Sequence, residues 1–591
     1  MQCRKDFAGK IDQCKDIIKD AEVWNKIPVI NYTPKELLFQ DQLVLFRGMV
    51  QDMFSPVLYL AQYEVKNQET GETSLKQGNF TDSLDCKDNE EVILESSATI
   101  YKERNSVYVT TVPGSNDWIE EAIRKRNFAN IQHLQFSCAC KPTSSQPVSG
   151  NKRTLDEDVK MEEDCDENGP ECTSNKRVCK ENLADVKQKA EEKPCEHNFP
   201  MLERTIKIMH PNALINLYDE DLKLKINDII EVAGFLSCDS TSADGDAEDG
   251  VEDLPPASVL PRINAVHVRV LRSPHNPADE SEVLRCAETT RAELHSLLSK
   301  VLLDDNLAAD YLLLHLLSTV FQRKDALVLG KFCLNLTNLP KDNTPSTVDT
   351  PSRQYSKLLY TFLTKLVPTS TFLSMSLGNL NTFKLVPSKN YEKNRLQTGW
   401  LQIPKNTHLV LDETDMQAGK LNDTGVRNVR TLSELINFQK VDYDFQFYPV
   451  EFPMDVRVLI LSEGKSIFPS DFRLSLDYAE TTSEYIAELF AEANRFVERQ
   501  SSATDKLRDY LITVANLAYE FSDDVETKIT EDFVKMRRER QETSSQDLHN
   551  LLVLARLFSL SRGCTTLSKE TWEIVQDMEE QRRLRMEKKR P

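Results

Sequence analysis

Residues 137–198 contain no Phe, Tyr or Trp. From residue 156 to residue 196, 14 acidic residues stand against 7 basic ones. A stretch of this kind cannot bury enough apolar surface to offset the conformational entropy lost on folding. We therefore predict that residues 137–198 are a disordered acidic insertion and that residues 239–254, which are also acidic, form a flexible loop. Folded cores have to be built from the parts of the chain on either side.

Both flanks of the insertion carry short apolar segments typical of β-strands. These segments are residues 43–53, 56–65, 106–112, 205–209, 224–237 and 263–271. Gly48 and Gly234 fall inside two of them, as expected where the strands of a small barrel must bend. We predict that residues 35–275 form a five-stranded OB-like β-barrel that contains the insertion, and that residues 1–34 form an N-terminal helical segment.

OB barrels often bind single-stranded nucleic acid through aromatic side chains and a basic groove. Four aromatic residues of the predicted strands are candidates for stacking on bases: Phe46, Tyr59, Tyr63 and Tyr108. Few basic residues lie beside them, and the net charge of −21 argues against a surface that grips nucleic acid. The sequence therefore favours a barrel used for protein contact, with single-stranded DNA binding as an alternative, and we expect direct DNA binding to be weak or absent.

From residue 276 onward, helical and strand patterns alternate, which predicts an α/β sandwich with a mainly parallel sheet. The helical segments are 294–302, 307–321, 355–366 and 432–438, and the strand segments are 332–339, 408–412 and 456–462. His315 falls among leucines and is interpreted as a core histidine. We assign residues 276–500 to this domain and residues 501–591 to a helical lid with a basic tail, in which Ser544 or Ser545 caps a helix.

The segment "HLVLDET", residues 408–414, ends an apolar strand with Asp412 and Glu413. Nucleotide-hydrolysing proteins place two acids in this way, one to hold Mg²⁺ and one to polarise the attacking water. Such a protein also needs a phosphate loop of the form GxxxxGK[ST], whose backbone N–H groups cradle the phosphates. The acids alone match many buried strands, so the phosphate loop decides the question.

No phosphate loop is found. Gly-Lys occurs four times, and only Gly464-Lys465 is followed by Ser or Thr. In that case Leu459 occupies the position of the first glycine. The loop should follow the strand at residues 332–339, yet the chain has no glycine between Lys331 and Leu377. We therefore predict no catalytic residue, no nucleotide cofactor and no enzymatic activity, with Asp412 and Glu413 as a degenerate remnant.

The C-terminal half resembles the AAA+ module of the minichromosome maintenance (MCM) replicative helicases, in degenerate form. "HLVLDETDM" lies where those helicases have their Walker B motif, residues 507–539 resemble their helical lid, and residues 544–557 resemble the helix that follows it. Three further positions are carried over from the resemblance. Ser462 or Glu463 falls at the sensor asparagine, Asp471 at the arginine finger, and Gln546 near the sensor arginine. The resemblance implies a pseudo-AAA+ domain, with an active ATPase or helicase-like subunit completed by a partner as the alternative.

The whole chain is similar to the MCM complex-binding protein family, from about residue 35 to residue 575 without the acidic insertion. The match is carried by "FRGMVQDMF", "LAADYLLLHLLSTVFQRKD", "LGKFCLNL", "QKVDYDF" and "VEFPMDV". The resemblance implies an adaptor that binds MCM helicase subunits in the nucleus. It also implies roles in releasing the helicase from chromatin, in protecting newly made subunits, and in DNA replication, the cell cycle, sister chromatid cohesion, mitosis and cell division.

Other features of the sequence bear on the cellular location of the protein and on metal binding. Thirteen irregularly spaced cysteines fit a reducing compartment, and the first residues lack an apolar signal region. The cysteines near the insertion do not form the CxxC pairs of structural zinc sites, so we predict no metal. Basic runs at residues 152–153, 176–177 and 582–590 are candidate nuclear import signals. No apolar run is long enough to span a bilayer, and no membrane partner is expected.

Overall fold

The computed structural model of the chain describes residues 11–82, 84–87, 89–137, 208–237, 260–273, 275, 280–324, 327–340, 351–479, 482–520, 523–539 and 544–588. The chain divides into two units, residues 1–131 with 199–591, and residues 132–198. The predicted acidic insertion beyond Ser137, the predicted loop at residues 239–254 and the cysteines considered for zinc near the insertion lie outside the described residues.

Eight strands of the N-terminal part form one sheet. They are β1 (Leu43–Met53), β2 (Val57–Asn67), β3 (Thr73–Gln77), β4 (Glu90–Ile93), β5 (Ile100–Thr110), β6 (Asn212–Leu217), β7 (Ile229–Ser237) and β8 (Arg262–Leu271). Five of them close into a ring in the order β1-β7-β8-β6-β5, because β5 also pairs with β1. The β6–β8 pair is parallel and the other four pairs of the ring are antiparallel. The apolar core of the ring includes Phe46 and Val232, both fully buried.

The two glycines inside the strands lie where neighbouring backbone comes close. A Cβ atom on Gly48 would lie 2.2 Å from the carbonyl oxygen of Thr110, and one on Gly234 would lie 2.5 Å from that of Asn264. Any other residue would force the strands apart at these points. The expectation that both glycines allow the sheet to bend agrees with this geometry.

One strand of the ring was predicted in the wrong place. The segment 205–209 was read as a strand, but residues 208 and 209 are not in one, and β6 begins at Asn212. The strand was missed because buried polar residues interrupt its apolar pattern. Asn216 is buried and accepts a hydrogen bond from the Ser106 hydroxyl at 2.8 Å. A buried asparagine with its partner on the neighbouring strand looks polar in the sequence and is satisfied in the fold.

The strands β2, β3 and β4, with residues 100–104 of β5, extend beyond the ring, and we call this extension the arm. Three helices accompany the sheet: α1 (Ile11–Lys19), α2 (Ala21–Lys26) and α3 (Asp117–Ser137). A second core, centred on Trp24 and Phe235, lies between these helices and the ring. No helix was predicted from the sequence at α3.

Residues 280–588 supply the remaining elements. The strands are β9 (Gln322–Lys324), β10 (Leu327–Leu329), β11 (Leu334–Thr337), β12 (Ser370–Ser374), β13 (Ser388–Asn390), β14 (Arg395–Gln397), β15 (Thr407–Asp412), β16 (Lys440–Asp444), β17 (Pro449–Pro453), β18 (Val456–Leu461) and β19 (Phe472–Ser475). The helices are α4 (Glu280–Arg285), α5 (Ala287–Val301), α6 (Asn306–Leu317), α7 (Pro351–Thr364), α8 (Leu377–Thr382), α9 (Asp423–Phe438), α10 (Ser483–Arg499), α11 (Ser501–Ala515), α12 (Asp523–Glu539), α13 (Ser545–Ser561) and α14 (Lys569–Lys588).

The centre of this part is a five-stranded parallel sheet in the order β12-β15-β18-β11-β19. Residues that are adjacent along one strand pack in different cores, because their side chains point to opposite faces of the sheet. Val410 packs in the core shared with α5, α6, α7 and α10 to α14, whereas Leu409 and Leu411 pack in the core shared with α8 and α9. Burial on both faces explains the continuous apolar runs of these strands, and it confirms the predicted parallel α/β arrangement.

Several helix ends differ from the sequence patterns. The predicted helix 307–321 ends at Leu317, and the predicted helix 432–438 is the last part of α9. Ser544 caps α13 in a capping box with Asp547, as the sequence indicated. The domain boundaries expected from the sequence, after residues 34, 275 and 500, stay predictions.

The barrel and the α/β part are joined by buried polar contacts. The Gln51 side-chain amide donates to the carbonyl oxygen of Leu396 at 2.6 Å, and the Gln402 amide donates to that of Gln51 at 2.9 Å. Elsewhere on the contact, the Asn116 amide donates to the Val367 carbonyl oxygen at 2.7 Å. Because these groups lose their partners if the chain is cut between the two parts, fragments are poor tools for locating a binding surface.

Candidate functional site

The predicted acids lie at the carboxyl edge of the parallel sheet. Asp412 is the last residue of β15 and lies opposite Leu461 of β18 in register. Ligands of open α/β sheets bind at this edge, because loops and helix N-termini meet there. Asp412 is fully buried and Glu413 is 8% exposed. Both acids therefore lie buried at the edge of the sheet where such ligands bind, and their Walker B interpretation stays a prediction.

The Asp412 carboxylate is engaged by neighbouring hydroxyl and amide groups. One oxygen accepts a hydrogen bond from the Ser356 hydroxyl of α7 at 3.0 Å. The other accepts from the Thr414 backbone N–H at 3.1 Å and from its hydroxyl at 2.8 Å. These contacts tie the first turns of α7 to the end of β15, so the carboxylate already has a structural role.

Glu413 is tied to the loop that follows β18. Its Oε1 atom accepts from the Ser466 hydroxyl at 2.9 Å and from the Ile467 backbone N–H at 3.2 Å. Burial raises the pKa of Glu413, with a smaller contribution from the charge of Asp412. The carboxylate is turned toward protein donors of its own chain.

The Ser356–Asp412 contact also indicates where a phosphate loop would stand if this sheet were that of a P-loop protein. In P-loop proteins the Ser or Thr that ends GxxxxGK[ST] holds Mg²⁺ together with the Walker B Asp. If Ser356 stands at that position, the phosphate-binding lysine is replaced by Tyr355. The Tyr355 side chain is fully buried, and its hydroxyl donates to the Val301 carbonyl oxygen at 3.0 Å. This position therefore offers a phosphate no positive charge.

Sequence reasoning missed Tyr355. The available signal was the "YS" pair at residues 355–356, but without the glycines nothing in the sequence linked that pair to Asp412. Residues 341–350, which lie between β11 and α7, are outside the described residues. Of the sensor candidates, Ser462 lies at the same edge as Asp412, with its hydroxyl 3.0 Å from Asn335 Oδ1, and Glu463 is exposed.

Asp471 and Gln546 lie together at the opposite edge of the sheet. Asp471 directly precedes β19, forms an ion pair with Lys331 and accepts a hydrogen bond from the Cys333 backbone N–H at 2.9 Å. Its side chain is 8% exposed. Gln546 contacts Asn550 at 3.0 Å, and the Asn550 amide donates to the Asp471 carbonyl oxygen at 3.3 Å. Asp471 thus holds β19 to the chain before β11 and does not project toward a neighbour.

The barrel aromatics considered for base stacking are not available for it. Phe46 and Tyr63 are fully buried and Tyr108 is 8% exposed. Tyr59 is half-buried and donates a hydrogen bond to Asn79 at 2.9 Å. Because three of these side chains are buried and Tyr59 is half-buried, the stacking alternative, which the sequence did not favour, lacks its aromatic platform.

A cluster of aromatic side chains lies instead in the α/β part, where three of them are exposed and one, Phe445, is half-buried against the core. The strands β14, β13, β16 and β17 form a small separate sheet, and four aromatic residues gather at its tip: Tyr391, Phe445, Phe447 and Tyr448. Phe447 is 81% exposed and packs on Tyr391 with ring centroids 5.5 Å apart. Phe445 and Tyr448 are stacked at 5.9 Å. We call these four residues the aromatic knob.

The basic tail considered as an import signal takes part in the fold. Arg582 and Arg583 bind Glu579, and Arg585 binds Asp305 at 2.6 Å. Arg582 also donates to the carbonyl oxygen of Arg473, which covers the edge of β19. The basic pairs at residues 152–153 and 176–177 lie outside the described residues. In the part of the chain that is described, no cluster of three His, Cys, Asp or Glu residues suits a metal, and no helix is long and apolar enough to cross a membrane.

Fold and site define a mixed α/β protein with two buried acids at the carboxyl edge of a parallel sheet. The chain matches the family described as mini-chromosome maintenance replisome factor over residues 14–586 and belongs to it.

Named relatives cover nearly the whole chain. It is 36% identical to the mini-chromosome maintenance complex-binding protein of Drosophila melanogaster, covering 97% of this chain and 94% of the relative. The proteins of the same name from Danio rerio and Homo sapiens are 34% and 33% identical, covering 95% and 98% of this chain and 91% and 94% of theirs. The chain's family is therefore one of proteins that bind the MCM complex.

Proposed function

We propose that this chain is a non-enzymatic adaptor that binds MCM helicase subunits through a pseudo-AAA+ domain. The observation that carries the proposal is the buried Tyr355 beside the retained Ser356–Asp412 contact. The site keeps its internal hydrogen bonds, and at Tyr355, among the residues that the structure describes, it offers no cation to hold a triphosphate. The names of the relatives supply the class of partner.

The order of the parallel strands supports the AAA+ relationship. If β11, β15 and β18 are the phosphate-loop, Walker B and sensor strands, the AAA+ resemblance requires the sensor strand to lie between the other two. The observed order β15-β18-β11 has that arrangement. The closed ring of five strands in the N-terminal part likewise supports an OB-type barrel.

The contacts of the acids argue against catalysis. A Walker B glutamate must face the attacking water, whereas Glu413 faces Ser466 and Ile467. An arginine finger contributes about 10³–10⁵ in rate, and the residue at that position, Asp471, is negative and bound to Lys331. The chain can neither hydrolyse ATP nor complete a neighbour's site.

The aromatic knob is the surface of the C-terminal half best suited to anchor an MCM subunit. Exposed aromatic side chains supply most of the binding energy in many interfaces. An adaptor that occupies a subunit's contact surface competes with that subunit's neighbours, and mass action then favours disassembly. By this route the protein would act in the nucleus during DNA replication, releasing MCM subunits from chromatin and protecting newly made ones.

Enzymatic activity can be tested directly with the full-length protein. We expect no ATP hydrolysis above buffer and no tight ATP binding, because the phosphate contacts are missing. Asp412→Asn and Glu413→Gln should then leave the background rate unchanged. Turnover that is lost in either variant would show an active ATPase and contradict the proposal.

The MCM contact can be tested by capturing purified MCM subunits with the full chain. The double variant Phe447→Ser/Tyr448→Ser should weaken capture at least about tenfold. The control Val426→Ser removes an exposed apolar side chain of α9 that is not one of the four knob residues, and should bind normally. Equal capture by all three proteins would place the contact elsewhere, and no capture by the unaltered chain would refute the adaptor function.

A further inference from the structure

The arm divides at a shift in the register between β2 and β5, which lies between Leu60 and Gln62. At and beyond this shift, Ala61, Tyr63 and Val65 are buried, with Tyr63 accepting a hydrogen bond from the Asp85 backbone N–H at 2.9 Å. These side chains account for the packing of that part of the arm.

Before the shift, one face of the arm carries large apolar side chains, and we call it the outer face. Leu60 lies opposite Tyr101 of β5, and directly opposed residues of an antiparallel pair point to the same side, as does Leu58, two residues earlier. Leu58 is 65% exposed and Tyr101 is 54% exposed, and Leu60 between them is half-buried. Apolar side chains grouped on one sheet face, and not scattered singly, mark an interaction surface.

The arm is also acidic. Residues 57–104 contain ten acidic and five basic residues, a net charge of −5. Two of the basic residues are held within the chain, since Lys76 binds Glu90 and Arg104 binds Asp82. Five glutamates of the arm are exposed: Glu69, Glu72, Glu91, Glu95 and Glu103.

We infer that the outer face of the arm docks a protein segment of the MCM partner that is apolar at its centre and carries Lys or Arg at its border. The negative charge of the arm favours a partner segment that carries basic residues. Nucleic acid and anionic lipid would be repelled, because exposed carboxylates cannot replace the cations that bind phosphate. A second copy of this chain would bring one acidic arm against another. The inference rests on the proposed function only for the identity of the partner.

The arm and the aromatic knob would then contribute differently to one complex. Exposed charges act mainly on the association rate through long-range attraction, whereas apolar anchors act mainly on the dissociation rate. The glutamates of the arm attract the partner, and Leu58 and Tyr101 retain it. Substitution of the glutamates should therefore change the association rate, and substitution of Leu58 and Tyr101 should change the dissociation rate.

The test measures binding rates of the full-length protein on immobilised MCM complex at several salt concentrations. The variant Glu69→Lys/Glu72→Lys/Glu103→Lys should lower the association rate about tenfold at low salt, with a smaller difference at high salt. A matched control with the same change in net charge replaces exposed glutamates of α10, α12 and α14: Glu488→Lys/Glu531→Lys/Glu570→Lys. The control should change the rate less than about twofold.

A second variant tests the apolar centre. Leu58→Ser/Tyr101→Ser should raise the dissociation rate about tenfold. Val270→Ser removes an exposed side chain from β8 and is the control. If both arm variants bind like their controls while the unaltered chain binds MCM, the arm is not a docking surface and the adaptor function stands. If the unaltered chain does not bind at all, the adaptor function itself fails.

Discussion

Acidic residues occupy two contrasting settings in this protein, the carboxyl edge of the parallel sheet and the outer face of the arm. At the sheet edge, Asp412 and Glu413 are buried and receive hydrogen bonds from their own chain. On the arm, Glu103 and its neighbours are exposed. The residues that look catalytic in the sequence are engaged by donors of their own chain, whereas the surface glutamates of the arm are exposed to solvent. Burial and hydrogen bonding decide the role of a carboxylate, and its resemblance to a motif does not.

Buried ionisable groups should dominate the response to pH, and the strongest case is a pair of histidines. His315 and His408 are fully buried, with their Nε2 atoms 3.1 Å apart. His315 Nδ1 lies 2.9 Å from the Phe332 carbonyl oxygen, so it donates there and leaves Nε2 to accept from His408. Burial lowers the pKa of His315 to about 3 and holds that of His408 well below its usual range, with the charge of Arg457 acting in the same direction.

The expected effect of this pair is a loss of stability in acid. Because both pKa values are depressed in the folded state, the unfolded chain binds protons first as the pH falls below about 6.5. Each histidine should then cost about 1.4 kcal/mol per pH unit, giving about 4 kcal/mol for the pair at pH 5. Urea denaturation between pH 7.5 and 5 measures this, and His408→Leu should reduce the slope by about half. An unchanged slope would mean that the histidines do not set the acid response.

The next largest effect should come from removing the buried Asp412 carboxylate. Asp412→Ala leaves the Ser356 hydroxyl and the Thr414 donors without their acceptor, which we expect to cost about 3 kcal/mol. Asp412→Asn keeps one acceptor oxygen and should cost less. Glu463→Ala, at an exposed acid on the same edge, should change stability by less than about 0.5 kcal/mol. Denaturation midpoints compare the three variants, and equal midpoints would remove the distinction between buried and exposed acids.

Glu413→Gln should have a smaller effect of the opposite sign. The pKa of Glu413 is raised in the folded state, so its charged form destabilises the fold above that pKa. Glutamine can still accept from Ser466 and Ile467 without the charge beside Asp412. We expect it to stabilise the protein by about 1 kcal/mol at pH 7, with the gain disappearing toward pH 4.5, where the glutamate binds a proton. A destabilised variant at pH 7 would show that the charge itself supports the fold.

The smallest effect on stability is expected on the arm. Glu69→Lys/Glu72→Lys/Glu103→Lys changes exposed residues and should shift the unfolding free energy by less than about 0.5 kcal/mol. The same substitutions should slow association with the MCM complex. Thermal denaturation checks the first statement. A large loss of stability would show that these glutamates stabilise the fold, as Asp412 is expected to do. The two groups of acids would then not differ in their effect on stability.

Regular apolar patterns predicted the framework well. The run Leu409-Val410-Leu411 identified β15, because a strand buried on both faces must be apolar throughout. The sequence offered Ser544 or Ser545 as the cap of α13, and the structure shows that Ser544 is the cap, in a capping box with Asp547. The strand β6 was misplaced, because Asn216 is satisfied by Ser106, 110 residues away along the chain.

The sequence by itself determined that this chain lacks a phosphate loop, because the loop's backbone path depends on glycines at fixed local spacing. It also determined the parallel sheet and the family. Only the tertiary structure decided that Tyr355 is buried against Val301, that His315 meets His408, that Asp471 binds Lys331, and that the aromatics of the barrel are covered while Phe447 is exposed. Each of these outcomes depends on residues that are distant in the chain and become neighbours only when the sheets and helices pack, and no local pattern records which neighbour a side chain will meet.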